Sequence, residues 1–528
     1  MDFILKDQRL AVTSLPEVWL PLLPTFAAEK LRIPSRQIAF VQLLHSSIDS
    51  RRGAPELILT LHLRFTSPPP RHPALSAISK AELANFTAPE LPLPDRTSLQ
   101  NPLVIGSGPA GISAAYILAL AGCAPVIIDR GEAVEARVAS CRSFVETRIL
   151  NEESNLLLGE GGAGTFSDGK LYTGTKDIRA RWLKKLWVEC GAPAEILHAA
   201  RGHIGSDKLI ALAAGLRQKI EALGGKFLFR SAVTGIICRN RRCCGVKLAS
   251  GEVLETPAVI FAPGLGGRDL LRQLCKLLPW EFKAFQSGCR IEHPQTLIDR
   301  AMYHLPSRPA ALGAAEYHLL ARHASRPVSS FCMCPGGTVV NATAWQGRSI
   351  SNGMSCFSRD GEFANSCLIA TFQPAEFGSP EEFFRTFDTL EKSIFTAGGS
   401  DYTLPAQDAS AFLAGKNGLR SGSNSSQCGI VPARLDQLLL PELTAALRTA
   451  LPELDRKLPG FIASGRFIGA ESFVSSPLRL LRDRLSFTSP GCDNFYPAGE
   501  GCGLAGGIVS AACDGIRCAE AMLRAFAL

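Results

Sequence analysis

Hydrophobic and polar positions are most informative over residues 103–130, LVIGSGPAGISAAYILALAGCAPVIIDR. Short apolar runs predict buried strands over Leu103–Ile105 and Pro125–Ile128, and the small apolar residues between them predict a helix over Ile112–Ala121. Glycines separate the first strand from the helix and predict a tight turn. The segment therefore predicts a strand–helix–strand unit, around which the rest of the chain is organised.

The glycines of this unit have the spacing of a dinucleotide-binding turn. Gly106 permits the tight turn, Gly108 permits the backbone to approach a pyrophosphate, and Gly111 permits the helix to pack on the strand. The positive end of the helix dipole would face the phosphates. Asp129 lies 23 residues after Gly106, close to the offset of about 20 residues at which an acid binds a ribose hydroxyl. Together these features predict a bound dinucleotide, with NAD, NADP and FAD all open.

The same segment has a second interpretation as a membrane helix, because residues 101–128 carry no charge. A membrane span needs about 20 mostly apolar residues without interruption. Glycines and prolines interrupt both halves of the segment, at Gly106, Gly108 and Pro109 and again at Gly122 and Pro125. The sequence therefore predicts no membrane span.

Before this unit, the pattern predicts a small α+β domain. Helical spacing is expected over Glu17–Leu31, and strands are expected over Ile38–Leu44 and Glu56–Phe65. Residues 67–97 contain seven prolines, which predict an extended connection with one short helix near Ile78–Asn85. A domain boundary near residue 98 follows.

After the unit, an α/β order continues to about residue 280. Six glycines in Leu156–Thr175 predict an irregular loop whose bare backbone N–H groups face a flat or phosphorylated ligand. The other predicted elements are helices over Ala133–Glu146 and Lys176–Val188, a helix capped at Ser206, a strand over Phe227–Cys238, a hairpin over Cys243–Leu254 and a strand over Val259–Phe261. The last strand ends in Ala262, Pro263 and Gly264, a glycine turn that is not a second GxGxxG. No independent NAD(P)-binding unit is therefore predicted.

Residues 281–460 depart from this order and predict short, mixed strands of a substrate-facing sheet with helical insertions. The chain then ends in a strand over Phe495–Pro497, a glycine turn and a helix from about Gly506. This helix N-terminus, near a flavin, would stabilise the anion formed on reduction, and Glu500 would bind the ribityl chain or the adjoining phosphate. One glycine turn near each end suits a long cofactor such as FAD, with its adenosine at Asp129 and its isoalloxazine near the C-terminal helix.

Composition narrows the class of protein further. The 528 residues are 46% hydrophobic and 20% charged, with a net charge of +8. This mild charge permits acidic ligands and does not require a nucleic-acid partner. The N-terminal residues MDFILKDQRL do not resemble a secretory signal, and 17 cysteines without such a signal favour reduced thiols. We therefore expect a cytoplasmic protein.

Several sequence motifs of this chain resemble those of a known group of proteins. The segments GEGGAGTFSDGKL, GHIGSDKL, GCRIEHPQ, FCMCPGG, SRDGE, SSP and YPAGEG, together with the terminal AGGI, stand here much as in a group of mostly bacterial, largely uncharacterised FAD-dependent dehydrogenase-like proteins. That group is similar to the glutathione-reductase-like flavoproteins. The resemblance covers most of the chain, although Asp129 stands where a glutamate is common and APGLGGRD replaces a more polar turn.

The resemblance implies FAD as the cofactor. It places Ile508 under the flavin ring and Val233 against the adenine through its backbone. The complete set of predicted cofactor-binding residues is Gly106, Ser107, Gly108, Pro109, Ala110, Gly111, Asp129, Arg130, Gly162, Ala163, Gly164, Thr165, Val233, Ala262, Pro263, Gly264, Gly499, Glu500, Gly506, Gly507 and Ile508.

The fold class expected from these observations is α/β, a Rossmann-like FAD-binding domain with an inserted mixed α+β domain and a small N-terminal α+β domain. The predicted divisions are the N-terminal domain with its linker over 1–97, the FAD-binding domain over 98–280 and 461–528, and an inserted substrate or cap domain over 281–460.

The reaction is less defined than the cofactor. No CxxxxC pair follows the first glycine turn, which argues against disulfide reductase chemistry. Cys332-Met333-Cys334 lacks the companion ligands of a zinc or iron–sulfur site, so no metal is predicted and packed, reduced thiols are expected there. His293, His203 and Arg359 are the candidate catalytic residues.

The sequence thus predicts an oxidoreductase that passes a hydride or electrons through flavin N5 between an unknown small-molecule substrate and an unknown acceptor. NAD(P)H is a candidate transient reductant. Two alternatives stay open: a flavoprotein that modifies RNA such as tRNA, and a flavin-binding protein without catalytic activity.

Overall fold

A computed structural model describes residues 1–12, 15–51, 53–84, 86, 91, 93 and 97–528. Within these residues the chain forms three larger sheets, of four, five and seven strands, and three smaller ones. Short 3₁₀ helices cover Leu20–Leu22, Ser35–Gln37, Gly162–Phe166, Ala194–Leu197, Leu265–Gly267 and Pro374–Glu376.

The N-terminal sheet has four antiparallel strands in the order β2-β3-β1-β4. Its elements are β1 (Asp2–Ala11), α1 (Pro16–Trp19), α2 (Leu23–Leu31), β2 (Ile38–Asp49), β3 (Glu56–Phe65), β4 (Leu75–Ile78) and α3 (Lys80–Leu83). The predicted helix over Glu17–Leu31 is broken, because Pro21 and Pro24 each remove a helical N–H donor. The sequence pattern predicts β2 and β3 but does not predict β1 or β4. Most of the predicted connection after residue 86, including Pro89, Pro92 and Pro94, lies outside the described residues.

The chain continues through an alternation of helices and strands. These elements are β5 (Leu103–Ile105), α4 (Pro109–Leu120), β6 (Val126–Ile128), α5 (Val134–Thr147), α6 (Arg179–Glu189), α7 (Ser206–Ala222), β7 (Lys226–Leu228), β8 (Val233–Arg239), β9 (Arg242–Leu248), β10 (Val253–Glu255), β11 (Val259–Phe261) and α8 (Arg268–Leu274). The predicted strand over Phe227–Cys238 is two strands, since the chain passes from one sheet to another between them. Gly205, not Ser206, caps α7.

The middle of the chain builds the largest sheet. Its elements are β12 (Trp280–Phe282), β13 (Phe285–Pro294), α9 (Gln295–Tyr303), β14 (Leu320–Ala321), β15 (Val328–Cys334), β16 (Thr338–Asn341), β17 (Ser351–Met354), β18 (Phe363–Phe372), α10 (Pro380–Ala397), β19 (Leu404–Asp408), α11 (Ala409–Ala414), β20 (Ile430–Pro432), α12 (Leu435–Leu438), α13 (Pro441–Lys457), α14 (Phe461–Ser464), β21 (Arg466–Glu471) and β22 (Leu478–Leu480). The chain ends in β23 (Phe495–Pro497) and α15 (Ile508–Ala525), so the last helix begins two residues after the predicted Gly506.

Strands β23, β11, β5, β6 and β7 form, in that order, one parallel sheet. Its strands are three residues long, and the three central ones are apolar and buried almost throughout. Helix α4 is also buried on nearly all sides, because its uncharged, mostly apolar residues PAGISAAYILAL pack against both the sheet and α15. The carboxyl ends of the five strands meet at one edge, which is where open α/β sheets bind ligands.

The seven-stranded sheet has the order β14-β15-β18-β13-β21-β19-β20. Two of its strands are ten residues long, which corrects the prediction of short strands. Alternate residues of β13 face opposite sides: Phe285, Cys289 and Ile291 lie in the largest hydrophobic core, whereas Arg290 is buried among polar groups on the other side. Phe383 of α10 covers the apolar side, with its ring 4.8 Å from that of Phe285. Strand β21 belongs to this sheet, so the sheet extends beyond the predicted domain limit at residue 460.

Candidate functional site

The candidate site lies at the carboxyl edge of the parallel sheet, where the glycine turn after β5 meets three other loops. Gly106 and Gly111 are packed against protein in this turn: a Cβ on Gly106 would overlap the carbonyl oxygen of Ala262, and a Cβ on Gly111 would overlap that of Gly106. Gly108 differs, because a Cβ there would have no heavy-atom neighbour nearer than 3.8 Å, the Cα of Gly162. The backbone of Gly108 is therefore the part of the turn that a ligand can approach.

Asp129, directly after β6, stabilises this turn through its carboxylate. One carboxylate oxygen accepts hydrogen bonds from the backbone N–H and the hydroxyl of Ser107, at 2.9 and 2.6 Å, and the other accepts the N–H of Gly131 at 2.9 Å. A carboxylate has about four acceptor positions, so one is left for a ribose hydroxyl. The carbonyl of Asp129 also accepts the N–H of Ser231, which brings the start of β8 at Val233 alongside.

Arg130, the next residue, forms a bidentate ion pair with Glu153 at 2.7 and 2.6 Å. This side chain is about one-third exposed, so the pair is worth only about 0–1 kcal/mol. The pair links the residue after Asp129 to the segment that precedes the glycine-rich loop.

The glycine-rich loop around the 3₁₀ helix Gly162–Phe166 is attached to the first turn. The N–H of Gly161 donates to the carbonyl of Ser107 at 3.0 Å. The Thr165 hydroxyl is buried and donates to the carbonyl of Glu160, which fixes the turn internally. Ala163 is exposed at its apex. The predicted irregular loop thus contains one short helical turn, held against the first glycine turn.

Arg137 of α5 organises this loop from inside the protein. Its guanidinium is fully buried and donates to the backbone carbonyls of Asn155, Gly159, Glu160 and Gly162, at 2.8, 3.2, 2.5 and 2.9 Å. The other terminal nitrogen has no acceptor among the described residues. Burial away from water lowers the pKa of Arg137 to about 10. Sequence analysis missed this residue.

The C-terminal turn after β23 is held by a second arginine. Arg482 forms a bidentate ion pair with Asp514 of α15, whose carboxylate also accepts the N–H of Gly499 at 2.9 Å. Burial without a partner would lower the pKa of Arg482, but its hydrogen bonds with Asp514 raise it. A Cβ on Gly515 would overlap the carbonyl of Ala110, so α15 packs tightly on the start of α4. This contact fixes α15, two turns after its start, against the N-terminus of α4.

Glu500 lies between this turn and β22. It accepts the N–H of Ser476 at 3.1 Å, and a Cβ on Gly506 would overlap its carboxylate. Burial raises the pKa of Glu500. Pro263 and Gly264 close the other side, since a Cβ on Gly501 would overlap the carbonyl of Gly264.

The predicted cofactor-binding segments therefore meet in one place. Gly164 lies against Ile508 and Pro109, with a Cβ there 3.3 and 3.6 Å from carbons of the two side chains. Helices α4 and α15 both begin here, at Pro109 and Ile508, and their positive ends favour an anionic ligand. Gly264 and Gly507 face open space, with no atom within 4 Å of a Cβ built on either. A long pyrophosphate-containing cofactor such as FAD fits this glycine-lined cradle.

Two of the three candidate catalytic residues, Arg359 and His203, lie together near the end of the glycine-rich loop. Arg359 holds the buried Asp168 in a bidentate ion pair at 2.8 and 2.5 Å, and the Ser355 hydroxyl donates to the same carboxylate. His203 stacks on Phe357 and contacts its backbone carbonyl at 2.9 Å. Burial and the charge of Arg359 lower the pKa of His203, while the cations around Asp168 hold the pKa of that carboxyl far below its usual range.

His293, the third candidate, lies elsewhere. It is fully buried on the apolar side of β13, packed against the Phe461 ring at 4.3 Å, and its Nε2 donates to the Phe461 carbonyl at 2.9 Å. Such surroundings favour a structural role over proton transfer to a substrate. Desolvation lowers the pKa of His293 from 6.5 to about 4.

This burial predicts a loss of stability in acid. The unfolded chain binds a proton at His293 near its ordinary pKa, whereas the folded protein resists it until about pH 4. The free energy of unfolding should therefore fall by about 3 kcal/mol between about pH 6.5 and pH 4 through this group alone. Thermal melts across this range, compared with His293→Gln, which keeps a donor for Phe461, measure the effect. An identical pH dependence in the two proteins would contradict it.

Comparison with known proteins identifies the family of the chain. Residues 284–473 match a family described as "FAD-dependent protein, C-terminal domain-like". A protein of Clostridium beijerinckii, itself uncharacterised, is 38% identical over 438 residues, which is 81% of either chain. The chain belongs to this family of FAD-dependent proteins, and FAD is its cofactor.

Solved structures that are similar to this chain include proteins of different activities. A flavin-dependent brominase aligns over 81% of this chain and 80% of its own, at 12% identity and a TM-score of 0.38. The L-proline dehydrogenase of P. horikoshii aligns over 82% of this chain and 95% of its own, at 11% identity and a TM-score of 0.36. Sequence identity and TM-scores this low do not identify the reaction. None of the helices in the described residues is long and apolar enough to cross a membrane.

Proposed function

We propose that the protein is a FAD-dependent oxidoreductase that acts on a small molecule. The observation that supports this proposal is that two helix N-termini and a glycine-rich loop lie together at the carboxyl edge of the parallel sheet, where Gly164 lies against both Pro109 and Ile508. FAD, when bound, supplies hydride and electron transfer through its N5. The protein supplies the position of the cofactor and the electrostatics around it.

The assigned roles follow the geometry. Gly108 and the N-terminus of α4 would bind the pyrophosphate, and the remaining acceptor position of Asp129 would bind the ribose. The N-terminus of α15, with Gly507 and Ile508, would stabilise negative charge on the reduced flavin. Glu500 would hydrogen-bond the ribityl chain.

The substrate would bind on the polar side of the seven-stranded sheet. The glycine-rich loop runs from the first glycine turn, through Gly161, to Asp168, which pairs with Arg359 beside this sheet. The loop therefore connects the cofactor cradle to the polar side of the sheet. Arg359 and His203 are the proposed catalytic or substrate-orienting residues, and we propose that the inserted domain ends near residue 473 instead of 460.

Anaerobic titration of the FAD-loaded protein with NADH and NADPH tests the proposal. We expect one nicotinamide to bleach the flavin in a stoichiometric reaction, and oxidised acceptors to restore the colour. If neither nicotinamide bleaches the flavin, the nicotinamide-linked reaction is excluded. If, in addition, no candidate small-molecule donor reduces the flavin while dithionite does, the oxidoreductase proposal is contradicted.

A cytoplasmic location is part of the same proposal and is tested by fractionation. Action on RNA stays a prediction that no observation in the structure favours. A salt-sensitive gel shift with tRNA would support it.

A further inference from the structure

Two cysteines from distant parts of the chain meet beside the hairpin that β8 and β9 form. Cys238, next to the end of β8, is exposed, whereas Cys492, three residues before β23, is only 1% exposed. Their Sγ atoms lie 3.9 Å apart, although the two residues are 254 positions apart in the sequence. Both are free thiols, so an accessible thiol lies in contact with a buried one.

Hydrogen bonds that do not involve the two sulfurs hold the segment around Cys492 against the hairpin. The N–H of Asp493 donates to the Arg241 carbonyl at 2.9 Å. The buried Asn494 side chain accepts the N–H of Cys243 at 2.7 Å and donates to the carbonyl of the same residue at 2.8 Å. The approach of Cys492 to the hairpin is therefore a fixed feature of the fold.

The two other cysteines of the hairpin have different surroundings. Cys243, opposite Cys238 on β9, is buried, and its thiol donates to the Gly245 carbonyl at 3.4 Å. Cys244 is exposed, and because neighbouring residues of a strand face opposite sides, its thiol lies on the other face of the hairpin. Cys244 is therefore a matched exposed thiol that does not have Cys492 as a neighbour.

The tip of the hairpin next to Cys238 is basic. Arg239, Arg241 and Arg242 are all exposed there, and the first lies opposite the last in the strand pairing. Arg241 forms an ion pair with Asp493 at 3.0 Å. Within the part of the chain that the structure describes, Arg239 and Arg242 form no ion pair. Their charges therefore attract an anionic molecule towards the exposed thiol.

We propose that Cys238 and Cys492 form a thiol–disulfide exchange site for a small organic disulfide that carries carboxylates, such as oxidised glutathione. Cys238 receives the disulfide because it is the accessible thiol of the pair. Cys492 then displaces the bound half, because its sulfur already lies against that of Cys238. The site is separate from the proposed flavin reaction and does not depend on it.

The exchange balances in two steps. The Cys238 sulfur attacks one sulfur of the small disulfide, the S–S bond of that molecule breaks, and the first half leaves as a thiol with the proton that Cys238 loses. The Cys492 sulfur then attacks the Cys238 sulfur, the mixed disulfide breaks, and the second half leaves as a thiol with the Cys492 proton. The two protein sulfurs lose two electrons in total, and the small disulfide is reduced to two thiols. A dithiol reductant reverses the exchange.

The disulfide between Cys238 and Cys492 stabilises the folded chain. It joins residues 254 positions apart, and such a link restricts the unfolded chain. It also ties the hairpin to the segment that leads through β23 into the C-terminal glycine turn. Oxidation should raise the midpoint of thermal unfolding by at least about 2 °C, and Cys238→Ser should show no rise. An unchanged midpoint in wild-type protein whose bond is fully formed would overturn this stabilising role.

Peptide mapping by mass spectrometry after treatment with oxidised glutathione tests the site. In wild-type protein, the peptides of Cys238 and Cys492 should be joined with the loss of two hydrogen masses and without bound glutathione. Cys244 should instead keep one glutathione. Cys492→Ala should leave glutathione on Cys238, Cys238→Ser should leave Cys492 unmodified, and dithiothreitol should reverse every modification. Wild-type Cys238 that keeps glutathione as Cys244 does, or that pairs with Cys243, would overturn the proposal and leave the flavin proposal intact.

A comparison of two small disulfides tests the preference for an anion. Oxidised glutathione is anionic and cystamine is cationic, so the exposed arginines should favour the first over the second. The double variant Arg239→Gln with Arg242→Gln should lower the ratio of the two initial rates at Cys238 at least about threefold. An unchanged ratio would overturn the assignment of an anionic disulfide.

Discussion

Gly108→Val is expected to lower the affinity for FAD at least about a hundredfold, or about 2.7 kcal/mol, with little change in the stability of the apoprotein. Gly108 has φ of −73° and ψ of −178°, an extended conformation that valine adopts readily. No neighbouring heavy atom lies within 3.8 Å of a Cβ at this position. The new side chain therefore fits the protein but occupies the space that the pyrophosphate needs. Fluorescence titration of apoprotein with FAD measures the affinity, and thermal melts measure the stability.

Substitutions at two other glycines distinguish a loss of FAD affinity from a loss of protein stability. Gly313→Val is the control, because a Cβ there has no neighbour within 4 Å and the residue lies far from the glycine turn in sequence. Gly111→Ala should behave in the opposite way: its Cβ would overlap the Gly106 carbonyl, so the apoprotein itself should lose stability, by about 1–3 kcal/mol. If Gly108→Val binds FAD like the Gly313 variant, the assignment of this turn to the pyrophosphate is contradicted.

Arg137→Met should destabilise the folded protein by about 3–5 kcal/mol and weaken FAD binding in the protein that remains folded. The substitution removes the donor for the carbonyls of Asn155, Gly159, Glu160 and Gly162, all of which belong to the loop that contacts the cofactor cradle. Methionine fills a similar volume but offers no N–H group. Thermal melts of apoprotein and of FAD-saturated protein measure the two effects.

Arg142→Met is the matched control, since Arg142 lies on the same helix but is exposed. We expect a change within about 0.5 kcal/mol for that variant. Arg137→Lys should recover only part of the loss, because an ammonium cannot reach four carbonyls in the geometry of a guanidinium. Equal stability of the Arg137 and Arg142 methionine variants would show that Arg137 does not hold the loop.

The first glycine turn could be predicted from the sequence because its information is local. Strand β5, the turn and helix α4 follow one another within residues 103–120, and each is defined by its own pattern of apolar and small residues. The prediction of one cradle formed by the turns after β5 and β23 also relied on local glycine patterns. The contact that holds these two turns close together is that of Ala110 with Gly515. These two residues are far apart in the sequence, so no local pattern predicts their contact.

Arg137 and the polar side of the seven-stranded sheet were missed for a common reason. A charged residue on an amphipathic helix usually faces solvent, and Arg137 is buried only because the loop over residues 155–162 folds around it. Arg290 likewise alternates with Cys289 and Ile291 in a pattern that suggests a half-exposed strand. Both of its sides are buried, since β17 covers the polar one, with Gly353 directly over the guanidinium. Such tertiary burial of charge leaves no local signal.

The FAD content of the wild-type protein tests the central claim most directly. The protein should be purified, saturated with FAD, separated from free flavin by gel filtration and denatured, and the released flavin should be counted per chain. The junction of the first glycine turn, the glycine-rich loop and the C-terminal helix predicts one FAD per chain, released as FAD and not as FMN. A folded protein that retains no FAD after saturation would contradict the assignment of this junction as a cofactor site.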